Sequence, residues 1–117
     1  MIGIIGGGVW GSALAKLLST QKVVIHARDK KIVDSINEHH FNPRLKYAVF
    51  NENVTATNSL EEISEKEYIF IALPSQKIRS VLENPYFKKN SSNYIIASKG
   101  IEIKNSLFLS DLIKELT

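Results

Sequence analysis

Apolar blocks alternate with amphipathic ones along this chain. Residues 1–5 (MIGII) form a short apolar run that reads as a buried strand. Residues 9–19 follow as a helix with Ala13, Leu14, Leu17 and Leu18 on one face. A second β-branched run, KVVIH at 22–26, precedes RDKKIVDSINEHH, in which Ile32, Val33 and Ile36 recur at helical spacing. The stretch FNPRLKYAVFNEN has no clear period and carries Pro43, so it reads as an irregular connection. A short strand at 54–56 leads to a brief helix around LEEIS, with Ser59 as its cap and Glu61 and Glu62 near its positive end.

YIFIAL at 68–73 is a continuous apolar run, the pattern of a parallel strand covered by helices on both faces. Pro74 and Ser75 end it and start the helix QKIRSVLENPYF. The polar turn KKNSSN then leads to a fifth strand, YIIA, and SLFLSDLIKEL reads as a final helix. This alternation predicts an α/β fold of Rossmann-like, doubly wound type, with a mostly parallel sheet and helices on both faces. No internal repeat interrupts it, and 117 residues suit one domain.

Composition narrows the classes. Hydrophobic residues at 44% and charged residues at 23% are globular proportions. A net charge of +3 suits a phosphorylated small molecule. It falls well short of a nucleic-acid-binding face, and no basic stretch with interleaved aromatics is present. The chain has no cysteine, which excludes a disulfide framework or a thiolate metal site and fits a reducing cytoplasm. The leading apolar run is too short for a secretory signal, and no run approaches the length of a membrane span, so a cytoplasmic domain without membrane insertion is expected. His39 and His40 are adjacent, diverge on a helix and lack a third ligand, so no metal site is expected there.

The chemistry lies at the ends of the expected strands. Gly6-Gly7-Gly8-Val9-Trp10-Gly11 satisfies G-x-G-x-x-G between a strand and a helix. In that setting Gly6 makes the tight turn, Gly8 lets the backbone approach a pyrophosphate, and Gly11 lets the helix pack closely on the strand. The diphosphate then rests on free amides at the positive end of the helix. The second strand ends His26-Ala27-Arg28-Asp29. Arg28 suits stacking on adenine and pairing with a 2′-phosphate, whereas Asp29 keeps a free ribose possible, so both NAD and NADP remain open. Pro74, in ALPSQ, closes the fourth strand where a ribose or nicotinamide would lie, or serves as a plain strand stop and helix start. Lys99, in SKG, closes the fifth strand, where a cation would hold a substrate phosphate or polarise a carbonyl.

With these residues in place, the chain resembles the amino-terminal domain of bacterial-type glycerol-3-phosphate dehydrogenase. The matching stretches are GGGVWGSALA, HARD, INEHHFN, NVTAT, ALPSQKIRSVL and ASKGIE, in the family's order and approximate spacing over essentially the whole chain. The resemblance implies that Val9 and Trp10 join the glycines at the diphosphate and that Arg28 sits by the adenosine 2′ position. It implies further that Lys99 contacts cofactor and substrate in the active centre. The implied reaction is reversible hydride transfer between NAD(P)H and dihydroxyacetone phosphate, giving sn-glycerol 3-phosphate.

Two local departures stand out: RLKYAVFNEN replaces the family's usual YLP stretch, and Lys77 occupies a position where some relatives place an aromatic. The family's principal catalytic lysine and most of its substrate-binding residues fall beyond Thr117. The chain is therefore expected to bind cofactor over residues 1–117 with negligible turnover, and an uncovered sheet edge would favour homo-oligomers. The alternatives are the cofactor domain of another small-substrate dehydrogenase, such as a ketopantoate reductase or 6-phosphogluconate dehydrogenase relative, and a noncatalytic dinucleotide-sensing module.

Overall fold

A computed structural model describes residues 1–87 and 92–96 of the chain. Three runs of β-branched or aromatic residues form the sheet's centre: β1 (Ile2–Ile5), β2 (Val23–His26) and β6 (Tyr68–Ile71). They are joined by β5 (Val54–Thr57) and β7 (Asn93–Ile96) in the order β5-β2-β1-β6-β7, with every pairing parallel. All four residues of β1 and of β2 are buried, as their unbroken apolar runs require in a sheet covered on both sides.

Alternate residues feed two cores. Ile2, Ile4, Val23 and Ile25 pack with Ala15 of α1 (Val9–Leu17) and with Ile32, Val33 and Ile36 of α2 (Lys30–His39). Ile5, Val24, Ile69 and Ile71 pack on the other face. Their partners there are Ile63 of α3 (Leu60–Ser64), Ile78 and Leu82 of α4 (Ser75–Leu82), and Phe87 of the short 3₁₀ turn Pro85–Phe87. The doubly wound α/β fold expected from the sequence is the fold observed. Two helix starts are capped by side chains: Asp29 caps α2 by accepting from the Lys31 amide at 2.8 Å, and Ser59 caps α3 by accepting from the Glu62 amide at 3.3 Å.

Two expectations are corrected. FNPRLKYAVFNEN is not irregular at its start: β3 (Phe41–Asn42) and β4 (Leu45–Val49) form an antiparallel hairpin about Pro43 and Arg44. Its base is closed by the Phe50 amide donating to the His40 carbonyl at 2.6 Å, with His40 in the left-handed region at φ 63°. The phase of α1 also differs. The helix buries Gly11, Ser12 and Ala15, while Leu17 is 77% exposed. Leu14 and Leu18 pack against the core as expected, but the small residues Gly11, Ser12 and Ala15 take the most buried positions, and their close approach to the sheet turns Leu17 outward. The expected final helix, Lys99 and most of the KKNSSN turn lie outside the described residues.

Candidate functional site

The chain leaves β1 for β2 on one side of the sheet, and β6 lies on the other. The carboxyl ends of β1, β2 and β6 therefore flank the point where the strand order reverses, where open α/β sheets hold ligands. A cleft of about 870 Å³ opens there. Its floor is Gly6–Gly8, one wall is His26–Asp29, and the other is Ala72–Pro74 with Lys77 of α4. Backbone ladders run up to the rim: the Gly6 amide donates to the His26 carbonyl at 3.2 Å and the Ala72 amide to the Ile5 carbonyl at 2.8 Å.

The glycines divide by what a side chain would meet. Gly6 has φ +132°, and a Cβ there would strike the Ala72 carbonyl oxygen. A Cβ on Gly11 would strike the Gly6 carbonyl oxygen, so Gly11 docks α1 on the turn itself. At Gly7 a Cβ would lie 2.5 Å from the Ala27 Cβ, which explains why three glycines run together. Gly8 is different. A Cβ there would meet nothing within 4 Å, so no protein atom requires a glycine at that position.

Electrostatics favour an anion. Helix α1 begins at Gly8 with no side-chain cap and no acidic residue in its first turn, leaving its positive end bare beside the glycine floor. Arg28, Arg44 and Lys77 line the cleft, and among the described residues none of them pairs with a carboxylate. Asp29 also lines it, but one of its oxygens is engaged in capping α2. His26 is buried at the rim. Burial first, and then the Arg28 guanidinium, hold its pKa below the ordinary value against a raising backbone hydrogen bond at Asn58, so the imidazole is neutral near pH 7.

Of the residues singled out in the sequence, Gly6, Gly8, Arg28 and Pro74 meet in this one cleft. Val9 and Trp10 sit just past it on the first turn of α1, 53% and 43% exposed, and Gly11 is buried beneath. Gly7, Arg44 and His26 line the cleft without having been assigned a part from sequence. Asn42 lies fully buried behind the glycine floor. Gly7 had a signal in the unbroken GGG run, and Asn42 had one as the last residue of the matching stretch INEHHFN, which named no part for it. Among the described residues no group of His, Asp and Glu is arranged to hold a metal ion, and no helix is long and apolar enough to cross a membrane.

Comparison with known proteins agrees with this architecture. The family model described as NAD-dependent glycerol-3-phosphate dehydrogenase N-terminus matches residues 1–117. Glycerol-3-phosphate dehydrogenase [NAD(P)+] of Neorickettsia sennetsu is 39% identical over 116 residues, covering 96% of this chain and 35% of that protein. The enzyme of the same name from Clostridium botulinum strain Eklund 17B is 40% identical over 119 residues, covering 97% of this chain and 36% of that protein. The crystal structure of glycerol-3-phosphate dehydrogenase from Coxiella burnetii superposes with a TM-score of 0.80 at 26% identity, over 98% of this chain and 37% of that one. A glycerol-3-phosphate dehydrogenase structure from Saccharomyces cerevisiae has a TM-score of 0.81 at 20% identity over 98% of this chain and 38% of that one, and shares the fold. The chain thus spans about a third of the length of the curated relatives it matches. With the family model covering its whole length, this chain belongs to the NAD-dependent glycerol-3-phosphate dehydrogenase N-terminal family.

Proposed function

We propose that residues 1–117 are the dinucleotide-binding domain of a glycerol-3-phosphate dehydrogenase. In this reading NAD(P)H lies along the cleft with its diphosphate over Gly6–Gly8 at the bare end of α1. The observation that carries it is Gly8, a glycine with open space where its side chain would be, facing an anion-favouring cleft. Val9 and Trp10 flank the diphosphate in this reading, Gly11 supports it from beneath, Pro74 lines the nicotinamide side, and Lys99 belongs to the active centre. The full enzyme would transfer hydride between the nicotinamide and the carbonyl carbon of dihydroxyacetone phosphate. That step needs donor and acceptor in near contact and a proton source for the developing alkoxide. This chain alone then binds cofactor and turns over substrate negligibly. A cytoplasmic setting and self-association belong to the same proposal.

Arg28 reads the adenosine 2′ position in this proposal. Support comes from the balance of charge among the described residues, with three cations that pair with no carboxylate against one partly engaged carboxylate. NADPH is expected to bind about tenfold more tightly than NADH, the scale of one charge-assisted contact. Calorimetric titration of the chain with both cofactors tests this, with Gly8→Val as the companion variant. Valine finds room in the protein at φ −88°, so the variant should fold as the parent does. Binding that falls at least about a hundredfold in Gly8→Val supports the reading, because the branched side chain fills the space reserved for phosphate. A folded parent that binds neither cofactor overturns it.

A further inference from the structure

The β3–β4 hairpin begins in the family-like stretch INEHHFN and departs from the family's pattern from Arg44 onward, and its buried Asn42 side chain is aimed at the glycine floor. Asn42 is 0% exposed and has no unused donor. Its Nδ2 donates to the Gly7 carbonyl at 2.8 Å and to the Ser12 Oγ at 2.7 Å, and its Oδ1 accepts from the Arg44 amide at 2.9 Å. One side chain thus joins the floor of the cleft, the first turns of α1 and the turn that carries a cleft-lining cation.

The consequence follows from peptide geometry. In a trans peptide the carbonyl and the following N–H point in opposite directions, and no cis peptide occurs among the described residues. Holding the Gly7 carbonyl inward on buried Asn42 therefore turns the Gly8 N–H outward. Among the described residues that N–H donates to no protein acceptor. The backbone could rotate this peptide freely, since glycine flanks it on both sides. Asn42 removes that freedom before any ligand arrives, and the entropy of ordering is then not charged against binding.

We propose that the hairpin is part of the dinucleotide site. Asn42 is a positioning residue that presents the Gly8 N–H to a diphosphate oxygen, and the turn it braces delivers the Arg44 guanidinium to the same phosphates. This rests on the dinucleotide reading above. It goes beyond that reading in assigning the work to residues outside the glycine motif.

The test is an NMR titration of the isotope-labelled chain with ADP and, separately, with adenosine, each monitored at backbone amides. In Asn42→Ala, ADP affinity falls about tenfold, the worth of one to two hydrogen bonds. Adenosine affinity stays within about twofold, and the ADP-induced shift of the Gly8 amide is lost. Arg44 is exposed, so Arg44→Gln leaves the core untouched. It lowers ADP affinity about fivefold with a shallower dependence on salt, again sparing adenosine. Equal loss of ADP and adenosine in Asn42→Ala would mean a merely structural role and would overturn the proposal. Parent-like ADP affinity in either folded variant would do the same, and if Asn42→Ala fails to fold, Arg44→Gln decides. A folded parent that binds neither ADP nor NADH overturns the functional reading and this inference together. A parent that binds while the variants match it overturns the inference alone.

Discussion

The glycine loop and the flank running from α2 through the β3–β4 hairpin meet at the same cleft, and opposite physics holds each in place. The loop is fixed by the absence of side chains: Gly6 lies against the Ala72 carbonyl, Gly7 against Ala27, and Gly11 against the Gly6 carbonyl. The flank is fixed by side-chain amides that take the place of backbone partners. Asn42 holds the Gly7 carbonyl, Asn37 holds both the N–H and the C=O of Ala56, and Asn51 and Asn53 both donate to the Ser19 carbonyl. The first region tolerates no added atom at Gly6, Gly7 or Gly11, and the second tolerates no lost amide. A site that must orient bare backbone toward a ligand gains from having both kinds of support on either side.

The largest effect that tests this contrast is at Gly11. Helix propensity alone says that Gly11→Ala should stabilise α1 by about 1 kcal/mol. The contact says the reverse, because the new methyl would sit on the Gly6 carbonyl oxygen, a backbone atom that can yield only by moving the loop. We expect the contact to win, with a loss of about 3 kcal/mol in urea unfolding. Gly8→Val, with open space around its Cβ, should change stability by less than about 1 kcal/mol in the same measurement while abolishing cofactor binding. Parent-like stability of Gly11→Ala would show that the loop is not held by close approach.

Asn37 probes the other flank. Its amide pairs with Ala56 at 2.8 and 3.0 Å, copying the ladder that a further strand would supply to β5. In the sheet order, β5 is an edge. Asn37→Ala should cost about 2 kcal/mol, two hydrogen bonds at about 1 kcal/mol each, and should raise the tendency to self-associate through the freed edge. Thermal unfolding read beside sedimentation separates the two consequences. Stability unchanged within error would mean that water serves Ala56 as well as the amide does.

The same contrast explains what the sequence made legible. β1, β2 and β6 were readable because each is an unbroken apolar run, and the glycine loop because Gly6 and Gly11 lie against backbone carbonyls that leave no room for a side chain. The hairpin was not. Its start carries Pro43 and Arg44 in a tight turn, and its placement depends on bonds from Asn42 to residues 30 and 35 positions away, which leave no local period. Leu17 misled for a related reason. The leucine count places Leu14 and Leu18 correctly against the core, but the centre of the docking face belongs to the small residues Gly11, Ser12 and Ala15, which leaves Leu17 outside it. Arg28 and Pro74 were found because strand ends are readable, whereas Arg44 reaches the cleft from outside the parallel sheet.

Acid gives the mildest test, and it acts on one side of the comparison. His26 is buried at the rim, its carbonyl accepts from the Gly6 amide, and its pKa is lowered from the ordinary value of 6.5, chiefly by burial. The folded state therefore binds a proton less readily than the unfolded chain, whose histidine titrates near 6.5. The stability tied to the neutral imidazole is fully present above that pH and is lost as pH falls below it toward the folded-state value. The urea midpoint of the parent should accordingly drop between pH 7.5 and pH 5.5 by more than that of His26→Gln, which cannot titrate. Because the proton enters where β2 meets the glycine turn, amide exchange at Gly6 and Ala27 should quicken before exchange at Ala56 on the asparagine flank. Equal acceleration on both sides would mean that acid loosens the whole domain, and the two supports would then not be separable.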